Sequence, residues 1–213
     1  MSVRLTNATV LVLAPHTDDG ELGAGGSIAR WAEEGNQVHY VAFSACESIQ
    51  PPGRDPNVLR SECSAATKVL GVAAENLSIL EFEVRHFARD RQDVLDEMVR
   101  LSVSLRPDLV LVPSLEDTHQ DHSVVAQEAR RAFKRTRLLG YEAPWNNYRF
   151  DVTAFVTLDH RHVERKWQAL QQFRSQADRP YMTRRYVESQ AGFRGVQAGV
   201  ANAEAFQILR WYL

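Results

Sequence analysis

Residues 10–26 read VLVLAPHTDDGELGAGG, and this stretch decides the fold class. Four apolar residues, 10–13, lead into a polar cluster that consists of His16, Asp18, Asp19 and Glu21. Glycines are concentrated in residues 23–26, and an amphipathic segment begins at Ser27. A short apolar run that ends in glycines before a helical segment is typical of a buried parallel strand entering a strand-to-helix turn.

The rest of the chain alternates between strand-like and helix-like segments. Strands are predicted at residues 9–14, 38–43, 77–80, 109–113, 138–142 and 152–158. Helices are predicted at residues 27–35, 58–70, 90–105, 123–134, 160–174 and 201–211, whereas residues 175–199 are polar and poorly periodic. This alternation predicts an α/β fold with a mostly parallel sheet and helices on both faces. We expect residues 1–213 to form a single domain, with the part from residue 138 onward as an embellishment of the sheet.

The composition predicts a soluble globular protein and argues against several classes of partner. With 213 residues, 44% of them hydrophobic, the chain can bury one substantial core. A net charge of −2 offers no basic field for nucleic acid. The two cysteines, Cys46 and Cys63, are too few for a disulfide scaffold or a thiolate zinc site. No apolar stretch approaches the roughly 20 residues of a membrane span, and residues 1–10 hold no signal core. We expect a cytoplasmic protein, which could form a homo-oligomer.

Two of the predicted strands end in acidic loops that contain histidine. The first strand is followed by the cluster at residues 16–21. The strand at residues 109–113 is followed by Glu116, Asp117, His119, Asp121 and His122. Ligands of open α/β sheets bind beyond the carboxyl ends of the strands, so we expect these two loops to meet there.

The spacing within the two loops predicts one metal site. His16 and Asp19 are three residues apart in a tight turn, and His122 stands at a helix start. Two imidazoles and one carboxylate suit Zn²⁺ with a position left for water or substrate, although Fe²⁺ and other divalent ions also fit. An open site of this kind is typical of hydrolytic enzymes.

The remaining polar residues of these loops suggest acid–base roles. Asp18 points away from Asp19 and could act as the general base towards metal-activated water. His119 could stabilise an oxyanion or act as an acid. Asp121 could orient one of the histidines from the second layer of the site.

Other interpretations of the same residues remain open at this point. Each loop alone could be an ordinary polar loop, and the glycines at 23–26 could suggest dinucleotide binding, but they do not spell GxGxxG. A phosphoesterase would place two metals about 3.5–4 Å apart and need bridging carboxylates. A non-catalytic sugar-binding protein would have no use for the base Asp18.

The two motifs resemble those of the PIG-L/LmbE family of zinc-dependent N-deacetylases. The family's strand followed by HPDD is similar to APHTDDGELGAGGSIARW at residues 14–31, with Thr17 in place of proline. Its HxDH motif is similar to residues 119–122, His-Gln-Asp-His. Weaker similarities begin at Arg60, Lys166 and Ala203.

This resemblance implies a Rossmann-like fold and hydrolysis of the acetamide of an N-acetylglucosamine-type substrate. The matching zinc ligands, one ion per chain, are His16, Asp19 and His122. Asp18 matches the general base, His119 the oxyanion-stabilising residue and Asp121 its orienting partner. Arg60 matches a residue that contacts sugar hydroxyls. Substrate specificity is expected in the loops at residues 46–57, 83–90 and 143–150.

Overall fold

The computed structural model, which describes residues 5–212, contains seven strands and six α-helices. The strands are Thr9–His16 (β1), Gln37–Ser44 (β2), Leu77–Ile79 (β3), Leu109–Pro113 (β4), Arg137–Tyr141 (β5), Ala154–Leu158 (β6) and Asn202–Arg210 (β7). The helices are Asp19–Glu33 (α1), Val58–Leu70 (α2), Arg91–Leu105 (α3), Gln120–Ala132 (α4), His160–Leu170 (α5) and Arg184–Ala198 (α6). Residues 1–4, on which part of the signal-peptide expectation rests, and residue 213 lie outside the described residues. Among the described helices, none is both long and apolar enough to cross a membrane.

The strands form one sheet in the order β3-β2-β1-β4-β5-β7-β6. The first five strands in this order are parallel, whereas β7 runs antiparallel to both β5 and β6. Along β1, Val10 and Val12 face one hydrophobic core, and Leu11 and Leu13 face the other. Helices α3 and α4 cover the second core, and the other four helices cover the first. This confirms the predicted single-domain α/β fold and explains why β1 is apolar at successive positions.

Helix α1 begins at Asp19, not at Ser27 as predicted. It contains a kink at Ala24, whose φ of −143° is not helical. Beyond the kink, Glu204 accepts hydrogen bonds from the backbone N–H groups of Gly26, at 3.0 Å, and Ser27, at 2.7 Å. A carboxylate from β7 therefore caps the second half of the helix, much as an N-terminal capping residue does. The glycine-rich sequence marks this internal break, and the helix itself starts directly after Asp18.

The C-terminal part of the chain was predicted wrongly. The predicted helix at residues 201–211 is strand β7, and the segment described as poorly periodic contains helix α6. Residues 203–205 read AEA and favour a helix by intrinsic propensity. In the fold, however, β7 lies between two strands and gains backbone hydrogen bonds on both sides, which outweighs that preference. Helix α6 gives little periodic signal because only three of its residues are buried, namely Val187, Ala191 and Gly195.

Candidate metal centre and active site

The two predicted loops meet at one edge of the sheet. Strands β1 and β4 are parallel neighbours, so their carboxyl ends lie side by side. His16 is the last residue of β1, and Asp19 is the first of α1. His122 lies in the first turn of α4, which begins at Gln120 and not at Ser123 as predicted. The structure thus brings together residues that are about a hundred positions apart, as the strand-end argument predicted.

The three predicted metal ligands converge on one point. Nε2 of His122 lies 3.1 Å from Oδ2 of Asp19 and 3.3 Å from Nδ1 of His16. Nδ1 of His16 lies 3.2 Å from the same carboxylate oxygen. The backbone N–H of His16 also donates to this oxygen at 2.8 Å, which holds the tight turn closed. Two imidazole nitrogens and one carboxylate oxygen, each offering a lone pair to the same point, fit a divalent metal ion with an open coordination position.

The other nitrogen of each of these histidines faces a carboxylate. Nδ1 of His122 lies 2.7 Å from Oδ2 of Asp117, and Nε2 of His16 lies 3.0 Å from Oδ2 of Asp121. Such contacts fix which ring nitrogen carries the proton and which is free for the metal. The side chain of Asp121 therefore orients His16, and only the backbone N–H of Asp121 contacts His119. Asp117 was not predicted from the sequence to have this role. Its position five residues before His122 is the one signal that could have indicated it.

The electrostatics distinguish the two adjacent aspartates. Burial alone would raise the pKa of Asp19, but the charges and hydrogen bonds of His122 and His16 outweigh it and hold this pKa well below its usual range. Burial and the neighbouring Asp19 charge raise the pKa of Asp18 to about 6. Asp18 precedes α1, yet its side chain caps no helical N–H group. Its carboxylate is therefore left available at the cavity.

His119 is held by backbone hydrogen bonds. Its Nδ1 accepts from the backbone N–H of Asp121 at 3.2 Å, and its own backbone N–H donates to Oδ1 of Asp117 at 2.8 Å. Since Nδ1 accepts, the neutral ring carries its proton on Nε2. Burial lowers the pKa of His119, and the nearby charges of His122 and His16 lower it further. This geometry favours a neutral hydrogen-bond donor over the protonated acid that the sequence also suggested.

Glu21 and Gly20 pack against Tyr40 beside the metal centre. Glu21 is buried and contacts the hydroxyl of Tyr40 instead of the cavity, and burial raises its pKa well above the usual range. The backbone N–H of Gly20 donates to the same hydroxyl at 3.1 Å. A Cβ at position 20 would lie 2.6 Å from the Tyr40 ring, so no side chain fits there.

A cavity of about 600 Å³ opens above these residues, within the usual size range of ligand sites. Asp18, Asp19 and His119 are among its lining residues. Its wall includes the rings of Trp145 and Tyr181, which stack with centroids 4.0 Å apart. All three loops where specificity was expected, at residues 46–57, 83–90 and 143–150, contribute to its lining. A further side comes from residues 175–181, which were not predicted from the sequence.

Arg60 does not line this cavity. Its Nε donates to Oε1 of Glu47 at 2.6 Å, and its Nη1 donates to the carbonyl oxygen of Ile79 at 2.9 Å. These bonds join α2 to the loop after β2 and to the end of β3. Its position therefore gives no support to the expected contact with a sugar.

Residues 11–133 match the family model described as PIG-L, GlcNAc-PI de-N-acetylase. This chain belongs to the PIG-L family. Its similarity to the uncharacterised deacetylase YaiS of Escherichia coli K12 is 28% identity over 171 residues, which is 78% of this chain and 90% of that protein. A second relative, the 4-oxalmesaconate hydratase of Pseudomonas putida KT2440, is 29% identical over 136 residues, 57% of this chain and 51% of the hydratase.

Solved structures share the PIG-L fold over nearly the whole chain. The conserved protein TT1542 of Thermus thermophilus superposes with a TM-score of 0.82 at 25% identity, covering 97% of this chain and 96% of its own. The 4-carboxy-2-hydroxymuconate hydratase GalB of Pseudomonas putida gives 0.82 at 22% identity and covers 97% and 98%. The N,N'-diacetylchitobiose deacetylase of Pyrococcus horikoshii gives 0.78 at 21% identity and covers 95% and 84%.

Proposed function

We propose that this protein is a zinc-dependent hydrolase that removes the N-acetyl group from an N-acetylglucosamine-type amino sugar. The observation that carries this proposal is the convergence of His16, Asp19 and His122 at the floor of a cavity that also presents Asp18 and His119. A protein that only binds a metal would not require, beside the ligands, a carboxylate that is free of helix-capping hydrogen bonds and an imidazole held in a fixed orientation. Membership of the PIG-L family supports deacetylation as the reaction.

His16, Asp19 and His122 would hold one Zn²⁺ ion, although Fe²⁺ or another divalent ion also fits this donor set. Bound zinc lowers the pKa of water to about 7 and polarises a carbonyl group. Asp117 and Asp121 keep the two histidines in the required tautomers through the contacts described above. The chain therefore supplies both the ligands and the residues that orient them.

Asp18 acts as the proton carrier of the reaction. Its carboxylate accepts a proton from the attacking water as the new C–O bond forms at the acetyl carbon. It then delivers that proton to the amide nitrogen, so that the C–N bond breaks and a neutral amine leaves. The second product is acetic acid, which releases its proton to solvent and becomes acetate. Without metal the pKa of Asp18 is about 6, and a bound cation would lower it, so Asp18 is ionised and able to accept a proton at neutral pH.

His119 stabilises the charge that develops on the acetyl oxygen. Its Nε2–H is the free donor, because Nδ1 is occupied by the backbone N–H of Asp121. A donor fixed in advance loses little free energy to reorganisation when the oxyanion forms. His119 therefore works as a neutral donor throughout the cycle.

The proposal is tested by screening the zinc-loaded protein against N-acetylated amino sugars and measuring amine release. The control is Asp18→Asn, which leaves the three ligands in place. We expect release by the wild-type protein and at least a ~100-fold loss in the variant. Zinc content and amine release that are both unaffected by Asp18→Asn would contradict the assigned base.

The hydration of an unsaturated carboxylic acid is a second candidate, favoured by the 29% identity to the 4-oxalmesaconate hydratase of Pseudomonas putida. Water addition to a C=C bond could use the same base. The two candidates differ in product, since hydration releases no amine. A parallel assay with an unsaturated dicarboxylic acid, monitored by the loss of its ultraviolet absorbance, distinguishes the two reactions.

Metal stoichiometry tests the phosphoesterase alternative, which requires two metal ions. Among the described residues, the two possible donor sets share His16 and therefore do not form two independent metal sites.

A further inference from the structure

The rim of the cavity contains arginines from three separate segments. Arg54 comes from the loop after β2, Arg85 from the loop after β3, and Arg179 from the segment before α6. The side chains of all three residues are exposed. Because these segments are distant in sequence, their meeting at one opening is a property of the fold.

Most hydrogen-bond donors of these guanidinium groups remain available. Arg54 Nη1 donates to the carbonyl oxygen of Ser175 at 3.1 Å, and Arg179 Nε donates to Oε1 of Gln176 at 3.3 Å. Both partners are uncharged, and each guanidinium has five donors. Within residues 5–212, none of the three arginines forms an ion pair with a carboxylate. Some exposed arginines elsewhere on the surface form such pairs, as in Arg89–Glu83, Arg161–Glu33 and Arg184–Glu188, and others, such as Arg135, do not within the described part of the chain. The rim differs in placing three such unpaired arginines around one cavity.

Arg85 is attached directly to the metal centre. Its backbone N–H donates to Oδ2 of Asp121 at 2.7 Å, and this oxygen also contacts His16. Arg85 adopts a left-handed backbone conformation, with φ of +70°, which is unfavourable for a residue other than glycine. Strain of this kind persists where the surrounding structure holds it and is concentrated at functional sites. The side chain of Arg85 is thereby carried at a set position beside the residues that orient the metal ligands.

The charge of the rim is opposite to that of the floor. The floor contains Asp18 and Asp19, whose charge a bound divalent cation would offset. At the rim, the three arginines stand against one carboxylate, that of Asp178. A neutral sugar does not need several unpaired guanidinium groups. Arginines bind carboxylate and phosphate groups through paired hydrogen bonds, and a positive opening attracts anions from solution.

We propose that Arg54, Arg85 and Arg179 bind an anionic group, a carboxylate or a phosphate, on the same substrate whose acetamide reaches the metal centre. This inference rests on the proposed deacetylase function and assigns its substrate class, an acidic derivative of an N-acetylated amino sugar. The anionic group sits at the rim, and the sugar spans the distance from there to the floor.

The test uses zinc-loaded protein and three glycosides of N-acetylglucosamine. The carboxymethyl and carbamoylmethyl glycosides have nearly the same shape and differ in charge, and N-acetylglucosamine 1-phosphate supplies the phosphate. The variants are Arg54→Gln, Arg85→Gln and Arg179→Gln. The matched control is Arg135→Gln, an exposed arginine in the turn between α4 and β5, at the opposite edge of the sheet. Amine release gives kcat and KM, and calorimetry gives the affinity for each glycoside.

We expect at least one of the two anionic substrates to have a kcat/KM about 10-fold or more above that of the carbamoylmethyl glycoside, as a charged hydrogen-bond pair would produce. Which of the two is preferred distinguishes carboxylate from phosphate. All three rim variants should lose this preference through KM. Zinc content and turnover of the neutral glycoside should stay unchanged in Arg54→Gln and Arg179→Gln, and Arg135→Gln should match the wild type. Added salt should reduce the preference, because it screens exposed charges.

Equal turnover of charged and neutral glycosides would overturn the anionic subsite and leave the deacetylase function intact. Absence of amine release from all three would instead contradict the deacetylase function. In that event calorimetry still decides the subsite. Binding of a charged glycoside in preference to the neutral one, lost in the rim variants, supports it, and equal or absent binding overturns it.

Discussion

Oδ2 of Asp117 lies 2.7 Å from Nδ1 of His122, and Oδ1 of the same side chain accepts the backbone N–H of His119. One buried carboxylate thus positions a metal ligand and the proposed oxyanion donor together. Burial alone would lower the pKa of His122, but the carboxylates of Asp19 and Asp117 raise it to about 10. A strongly basic imidazole is also a strong metal ligand once its proton is displaced.

Asp117→Asn should therefore weaken zinc binding by about 10- to 100-fold, the usual effect of removing a partner of a ligating histidine. The measurement is competition with a chelator of known zinc affinity. Glu116→Gln is the control, since Glu116 is the exposed acidic neighbour. Unchanged zinc affinity in Asp117→Asn would show that His122 is oriented by packing alone.

His16→Ala, Asp19→Ala and His122→Ala should each remove zinc or strongly weaken its binding, because each deletes one of three protein ligands. Metal analysis of the purified variants measures this, and His86→Ala, an exposed histidine outside the donor set, should keep full occupancy. Full metal occupancy in all three variants would refute the ligand assignment.

Treating the wild type with a chelator should lower its melting temperature, because a metal that binds the folded state stabilises it.

The pH dependence of kcat/KM should separate Asp18 from His119. Asp18 must be ionised, so activity of the wild type should fall at low pH, and Asp18→Asn should lose this acidic limb. The midpoint of the limb should lie below the metal-free pKa of about 6, because a bound cation favours the carboxylate. His119 acts as a neutral donor, so His119→Gln should lower kcat/KM by about 100- to 1000-fold at every pH. A change confined to the basic limb in His119→Gln would mean that the imidazole works as a protonated acid.

The stability of chelator-treated protein should respond oppositely to Asp18→Asn and Asp19→Asn. The folded-state pKa of Asp18, about 6, is above its ordinary value of 3.8. Ionisation of Asp18 therefore lowers the free energy of unfolding, by on the order of 2–3 kcal/mol at most. This destabilisation is absent below pH 4 and fully developed above pH 6. Asp18→Asn should stabilise the protein at pH 7 and not at pH 4.

Asp19 has the opposite sign. Its folded-state pKa is depressed, so its carboxylate contributes stability at pH 7 that is lost only as the pH falls through the depressed value. Asp19→Asn should therefore destabilise the chelated protein at pH 7. Urea unfolding of both variants across pH 4–8 measures the difference, and the same sign in both would contradict the electrostatic assignment.

Glu204→Gln should destabilise the whole fold by about 3–5 kcal/mol, because it leaves a buried ammonium group without its counter-charge. Oε1 of Glu204 lies 2.7 Å from Nζ of Lys166, and both side chains are 4% exposed. The carboxylate also caps the second half of α1, so the change loosens the helix that begins at Asp19. Glu188→Gln, in an exposed pair with Arg184, should cost no more than about 1 kcal/mol. Equal unfolding free energies in the two variants would contradict this role.

The sequence by itself determined the parallel core of the fold and the meeting of its two motifs. Strands β1 and β4 are apolar along their whole inner lengths, and their carboxyl ends must share one edge of a parallel sheet. The meeting of His16 and His122 at this edge therefore follows from the order of the segments, since His16 ends β1 and His122 comes soon after β4. Helix α2 was predicted with its observed bounds because its apolar pattern and its terminal glycine, Gly71, are local signals.

Only the tertiary structure decided the features that depend on distant partners. Strand β7 contains residues that favour a helix, and its pairing with β5 and β6 overrides that preference. Asp121 turned out to orient His16, and Asp117 turned out to orient His122, because ring orientation depends on which side chains pack around each histidine. The arginine rim follows the same rule. Its members come from three loops whose proximity no local pattern records, since loop positions are set by the strands they connect and not by their own sequences.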